Sequence, residues 1–156
     1  LRTSVVIAVS TILFGVLLFL ATLKNSHKTQ IDEITLRDAL LIGVAQSFAL
    51  IPGTSRSGVT ITAGLFLGLD NKTASKFSFL MAVPTIGAIA VYQLLTTDVE
   101  FLIQYFEINL LGLMISFIIA YFTIDFFIKF INRIGFLPFI LYRIILGIAL
   151  FSLILQ

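Results

Sequence analysis

The chain has 156 residues, 59% of them hydrophobic and only 12% charged, with a mean hydropathy of +1.12, a balance that excludes an ordinary water-soluble globular domain. Its formal charge of +2 comes from basic residues scattered between apolar segments, which excludes a nucleic-acid-binding surface. The lack of cysteine excludes disulfides, thiolate nucleophiles and cysteine-ligated zinc. The composition is that of an all-α integral membrane protein.

Taken in order, residues 3–23 form the first predicted span. Their apolar run is too long for a signal peptide, and no small-x-small cleavage site precedes Lys24. A polar loop with Lys24, His27, Lys28, Asp32 and Glu33 follows. Thr35 is placed to cap the next helix, with Asp38 completing a capping box. That helix is expected to run to about Ile51, and it carries Gln46 near its end. After the string Pro52-Gly53-Thr54-Ser55-Arg56-Ser57-Gly58, a second short helix runs to about Gly68. Asp70 or Thr73 then caps a second span over 74–95, in which Pro84 predicts a kink. A third span is expected over 109–128, after a loop, and a fourth over 136–155, with 129–135 as the loop between them. The whole of 1–156 reads as one transmembrane domain.

Neither apolar flank of the Pro52–Gly58 string reaches the roughly 20 residues that a bilayer demands. Two short helices meeting at a polar break predict a re-entrant hairpin over 36–68, giving four transmembrane helices plus one hairpin. Irregular backbone at membrane depth persists only when buried in protein or lining a wet cavity. The charges support this layout. If the hairpin returns to its starting face, Lys24, Lys28, Arg37, Lys72, Lys76, Lys129 and Arg133 share one side, and Arg2, Asp98, Glu100 and Glu107 share the other. By the positive-inside rule the basic side is cytoplasmic and both chain ends are outside.

The string itself suits an anion. Pro52 ends the first helix. Gly53 and Gly58 permit a tight turn and close approach of a ligand. Thr54, Ser55, Ser57 and Thr60 supply hydroxyls, and Arg56 supplies a permanent charge with a fork of donors that matches phosphate oxygens. A helix starting near Ser57 would aim its free N–H groups at the same spot. An arginine that merely snorkels or pairs with a carboxylate is the alternative. Asp125 and Arg143, in the third and fourth spans, are expected to pair with each other, with Arg143 as a second phosphate ligand the competing role.

Residues 38–46, the string 51–58, Phe77-Ser78-Phe79-Leu80 with Pro84, and the late Tyr142-Arg143 with Leu146-Gly147 together resemble the bacterial undecaprenyl-diphosphate phosphatases of the bacitracin-resistance type. The resemblance covers nearly the whole chain but only the C-terminal portion of that family. It implies half of an inverted-repeat bundle in the bacterial inner (cytoplasmic) membrane, hydrolysing a C55 isoprenyl diphosphate to the monophosphate carrier for cell-wall synthesis. It implies Arg56, Ser55 and Thr60 at the reacting diphosphate, and Gln46, Gly53, Thr54 and Ser57 in substrate binding. Gln46 stands where the family's first repeat has a carboxylate; a purely structural link between helices is the equal alternative. The resemblance also implies Mg²⁺ or Ca²⁺ as cofactor. No metal ligand is assigned within this chain, because the family's glutamate-rich and Ser-Ser-Thr-Gly-His motifs do not occur in it. His27 lacks that context and reads as a solvated loop residue. With Leu1 at its start, the chain is expected to be a fragment lacking an N-terminal repeat and inactive alone. The partners expected are the isoprenyl diphosphate substrate and membrane lipids, not nucleic acid, with a homodimer as the candidate assembly. A lipid-phosphate transporter or flippase, built on the same broken-helix architecture, and a catalytically incomplete membrane subunit are the competing functions.

Overall fold

The computed structural model describes residues 4–97 and 99–154, and its regular elements are all helices. They are α1 (Ser4–Thr22), α2 (Leu36–Gln46), α3 (Arg56–Phe66), α4 (Asn71–Thr96), α5 (Val99–Gln104), α6 (Phe106–Ile134) and α7 (Leu137–Ile154), with 3-10 turns over Ile31–Glu33 and Ser47–Leu50. Four of them, α1, α4, α6 and α7, are long and apolar enough to cross a membrane, so the chain is a multi-pass membrane protein. Positions 3 and 155 of the expected spans, and Arg2 and Asp98 of the charge pattern, lie outside the described residues.

The boundaries follow local chemistry. Thr35 caps α2, its Oγ1 accepting from the Asp38 N–H while the Asp38 carboxylate accepts from the Thr35 N–H. Asp70, not Thr73, caps α4: its carboxylate accepts from the Thr73 N–H at 2.7 Å, and the helix starts three residues earlier than expected. Two other expectations need correction. The helix before the break stops at Gln46 rather than Ile51, and 47–50 tighten into a 3-10 turn. The third span is six residues longer at its C-terminal end than the sequence suggested. Charged Lys129 and Arg133 looked like loop, but Lys129 lies one turn beyond Asp125 and pairs with it at 2.7 Å, extending the helix to Ile134. Asp125 therefore does not pair with Arg143, as the sequence had suggested.

A small core lies where α1, α2, α3, the end of α6 and the start of α7 converge. Leu18, Ile42, Ile61, Leu65, Ile131, Phe136 and Ile140 are buried there. By contrast, α6 exposes every residue from Phe106 to Phe126, and the last turns of α4 are equally bare. Lipid is the medium in which such surfaces are tolerated. α1 and α7 pack closely through small residues: a Cβ on Gly147 would overlap the Ile12 side chain and stand 3.2 Å from the Ala8 carbonyl oxygen.

The loop 27–29 ties together the two ends of the α2–α3 pair. The N–H groups of His27 and Lys28 donate to the Gly68 carbonyl at 2.9 and 3.0 Å, and the Asp70 N–H donates back to the Lys28 carbonyl at 2.9 Å. Thr73 Oγ1 donates to the Thr29 carbonyl at 2.8 Å. Lys28 Nζ reaches the Asp38 carboxylate at 2.6 Å near the start of α2. The start of α2 and the end of α3 therefore lie side by side, and the two helices run antiparallel. His27 itself is exposed. Lys24, Asp70, Asn71 and Asn132 line one polar cavity at this end, and Lys72 and Lys76 line a neighbouring one.

The Lys28–Asp38 contact carries a pH signature. The Lys28 ammonium is the largest influence on Asp38; with the Thr35 bonds it outweighs burial and holds the carboxyl at about 2, against an ordinary 3.8. A depressed folded-state value means stability that is present above about pH 4 and lost as pH falls towards 2. The contribution is on the order of 2 kcal/mol. Melting of the detergent-solubilised protein should fall between pH 4 and pH 2.5, and Asp38→Asn should melt lower at pH 6 and flatten that fall. An Asp38→Asn variant with the wild-type profile would remove this pair from the account.

Candidate functional site

The break between α2 and α3 is held on α1 by hydrogen bonds to its own backbone. Ser10 Oγ donates to the Pro52 carbonyl at 2.5 Å, and Thr11 Oγ1 to the Gly53 carbonyl at 3.2 Å. Gly53 has φ +93°, and its position against α1 leaves no room for a Cβ. Thr54 is fully buried, its hydroxyl donating to the carbonyls of Phe48 and Ile51 at 3.2 and 2.8 Å. Buried loop carbonyls are thereby satisfied without water.

Ser55 has φ +65°, the one non-glycine residue with positive φ among the described residues. Such a conformation costs about 1–3 kcal/mol and persists where the surroundings impose it. It turns the chain so that Ser55 caps α3, its Oγ accepting from the Gly58 N–H at 3.4 Å and lying 3.5 Å from the Ser57 hydroxyl. Arg56 follows at the first helical position. The N–H groups of Arg56 and Ser57 precede any intrahelical acceptor, so the start of α3 presents donors and a positive dipole end.

Arg56 is half-buried, and its Nη1 is fully buried with no hydrogen-bond partner among the described residues. The ion pairs in the described residues are Lys28–Asp38 and Lys129–Asp125, so no carboxylate there pairs with Arg56. A buried unsatisfied charged donor costs roughly 1–3 kcal/mol or more. One turn on, buried Thr60 bonds the Ser78 hydroxyl at 2.7 Å and donates to the Arg56 and Ser57 carbonyls at 3.2 Å, bracing α3 against α4. Gln46 Nε2 donates to Thr85 Oγ1 at 3.3 Å, linking α2 to α4, while its Oε1 is buried and unpartnered.

The seven expected site residues thus fall into two groups. Ser55, Arg56 and Ser57 gather at the first turn of α3. Gly53 and Thr54 fix the loop that precedes it, while Thr60 and Gln46 tie α3 and α2 to α4. Ser10, Thr11 and Thr85 were not singled out from the sequence, and Ser78 stood there only within the Phe77-Ser78-Phe79-Leu80 motif. The signal was there in part, since Ser10 and Thr11 are adjacent hydroxyls in the interior of a helix whose other hydroxyls stand at its two ends.

Residues 1–149 match the family described as Bacitracin resistance protein BacA. The chain belongs to the BacA family. A BacA relative named undecaprenyl-diphosphatase, from Saccharophagus degradans, is 47% identical over 154 residues, covering 99% of this chain and 58% of its own length. Another of that name, from Hahella chejuensis, is 50% identical over 151 residues, covering 96% of this chain and 56% of its own. A third, from Nitrosococcus oceani, is 48% identical over 158 residues, covering 98% and 58%. The chain therefore spans somewhat more than half the length of these BacA relatives.

Proposed function

We propose that this chain carries the phosphate-gripping part of an undecaprenyl-diphosphate phosphatase. In this reading it works in the bacterial inner membrane on a C55 isoprenyl diphosphate. Removal of the terminal phosphate leaves the monophosphate carrier used in cell-wall synthesis, and bacitracin resistance follows from that turnover. The observation that carries the reading is Arg56: a buried guanidinium nitrogen with no hydrogen-bond partner among the described residues, on the first residue of a helix whose N-terminus presents free N–H groups and a positive dipole end. The names of the BacA relatives supply the substrate class.

The hairpin belongs to the same proposal. α2 and α3 have 11 residues each. That is about 16 Å of helix, against a hydrocarbon layer of about 30 Å. With both outer ends tied to the loop 27–29, the pair enters and leaves by the face that holds Lys24, Lys28, Lys72 and Lys76, the cytoplasmic one by the charge rule. Arg56 then sits within the membrane, as one half of an inverted-repeat bundle. The diphosphate is held there while its tail stays in hydrocarbon.

Phosphoryl transfer asks a protein chiefly for positioning and charge stabilisation. Arg56 neutralises charge on the departing phosphate, the α3 N–H groups and the Ser57 hydroxyl orient its oxygens, and the surrounding apolar side chains strengthen each contact by keeping water out. Ser55, committed to the cap, binds oxygen rather than attacking phosphorus. The loop does not make a Mg²⁺ or Ca²⁺ site: its donors are neutral hydroxyls, an amide and cations. Among the described residues no group of three histidine, cysteine, aspartate or glutamate side chains comes together. Hard divalent cations take carboxylate-rich oxygen shells, so no step is assigned to an ion in this chain.

Protein containing this sequence, reconstituted in vesicles with a C55 isoprenyl diphosphate, should release inorganic phosphate and accumulate the monophosphate lipid. Movement of intact diphosphate between leaflets with no phosphate released would replace the phosphatase by the flippase reading.

A further inference from the structure

A second cation faces the first turn of α3. A cavity of about 150 Å³ opens there, lined by Ser55, Ser57 and Gly58 on one side and by Phe127 and Phe139 on the other, with Arg143 at its edge. Arg143 reaches in from α7. Its Nη2 donates to the Gly53 carbonyl at 2.9 Å and its Nε to the Thr11 carbonyl at 3.4 Å. Both acceptors are neutral, so these bonds orient the guanidinium without cancelling its charge. Asp125, the acid nearest in expectation, is committed to Lys129. Nη1 lies 3.4 Å from where a Cβ on Gly58 would stand, so it packs beside the helix start, a close approach that the missing side chain permits.

We propose that Arg143 is a specificity-determining residue. It supplies a second guanidinium contact beside the α3 N-terminus, so the site favours two linked phosphates over one. The proposal rests on the anion-binding reading of Arg56. The physical basis is preorganisation. Two of the fork's nitrogens are fixed on backbone carbonyls, so Nη1 is presented in one orientation and little side-chain freedom is lost when an anion arrives. A single phosphate can saturate Arg56 and the helix N–H groups. A diphosphate has further oxygens to offer Nη1, in a partly apolar cavity where charge-assisted bonds are strong. A lysine at this position could keep the charge but could not hold two carbonyls while facing the cavity.

The test is calorimetric titration of detergent-solubilised protein containing this sequence with inorganic phosphate and with inorganic diphosphate, reading the ratio of the two dissociation constants. The wild type should prefer diphosphate. Arg143→Met should cut that preference about tenfold or more while changing phosphate affinity little, and Arg143→Lys should restore only part of it. An Arg143→Met ratio within twofold of wild type, with melting unchanged, overturns the proposal. If Arg143→Met fails to fold, Gly58→Ala decides. It places a methyl 3.4 Å from Nη1 and 3.3 Å from the Ser55 Cβ, at a helical position where alanine is intrinsically favoured over glycine. It should lower the diphosphate preference, and an unchanged ratio is fatal. A wild type that binds both anions equally defeats the role of Arg143 alone. A wild type that binds neither defeats the anion site itself, and this inference with it.

Discussion

Arg56→Ala should all but abolish phosphate release from a long-chain isoprenyl diphosphate while leaving melting unchanged or slightly raised. The two halves of that expectation come from the same atom. In the ground state the buried Nη1 has no partner among the described residues, so the fold bears a desolvation cost with no hydrogen bond there to offset it. Removing the group removes the cost. On the proposed reading the interaction is recovered in the transition state, where charge on the reacting phosphate would meet this donor. Loss of such a donor costs about 3–4 kcal/mol, a factor of about 10² to 10³ in rate. Arg56→Lys should recover a minor part, since an ammonium supplies charge but no planar fork. Arg56→Ala protein that turns over at the wild-type rate under saturating substrate would remove the guanidinium from the reaction.

The features legible in the sequence were those written in residue type. Four apolar segments mark the four long helices, Pro52 and the glycines mark the break, and Thr35 with Asp38 marks a capping box that the structure contains. Arg56 stood out because a permanent charge between two apolar half-helices needs a reason. The features that were not legible depend on backbone. The partners of Arg143 are the carbonyls of Gly53 and Thr11, and a carbonyl acceptor has no residue identity, so sequence logic offered the nearest acid, Asp125, instead. The end of α6 was missed for a related reason. Lys129 and Arg133 look like a loop when charge is equated with disorder, yet a helix leaving an apolar layer can keep turning, and Lys129 reaches back one turn to Asp125. The end of α2 at Gln46 reflects packing: Gln46 is tied sideways to Thr85 of α4, and the backbone tightens immediately afterwards.

Gly53→Ala should be strongly damaging. At φ +93° any L side chain is strained, at a cost of about 1–3 kcal/mol before any contact is considered. The added Cβ would then overlap the Ser10 hydroxyl and stand 2.7 Å from the Ile7 carbonyl oxygen, which belongs to helical backbone and cannot swing aside. Relief requires the loop to lift from α1. Lifting breaks the Ser10 bond to Pro52 and the Thr11 and Arg143 bonds to Gly53 together, since all three converge on two adjacent carbonyls. The expected loss is about 3 kcal/mol or more. It should appear as melting lowered by several degrees in detergent, with phosphate release lost in parallel because α3 no longer starts where its donors are aimed. Gly43→Ala is the control. It lies in α2 with nothing within 4 Å of a built Cβ, so alanine there should match or slightly raise wild-type melting. If Gly53→Ala melts with the wild type while keeping activity, the loop is not fixed on α1 through these contacts. The rigid presentation of Arg56 would then need another source.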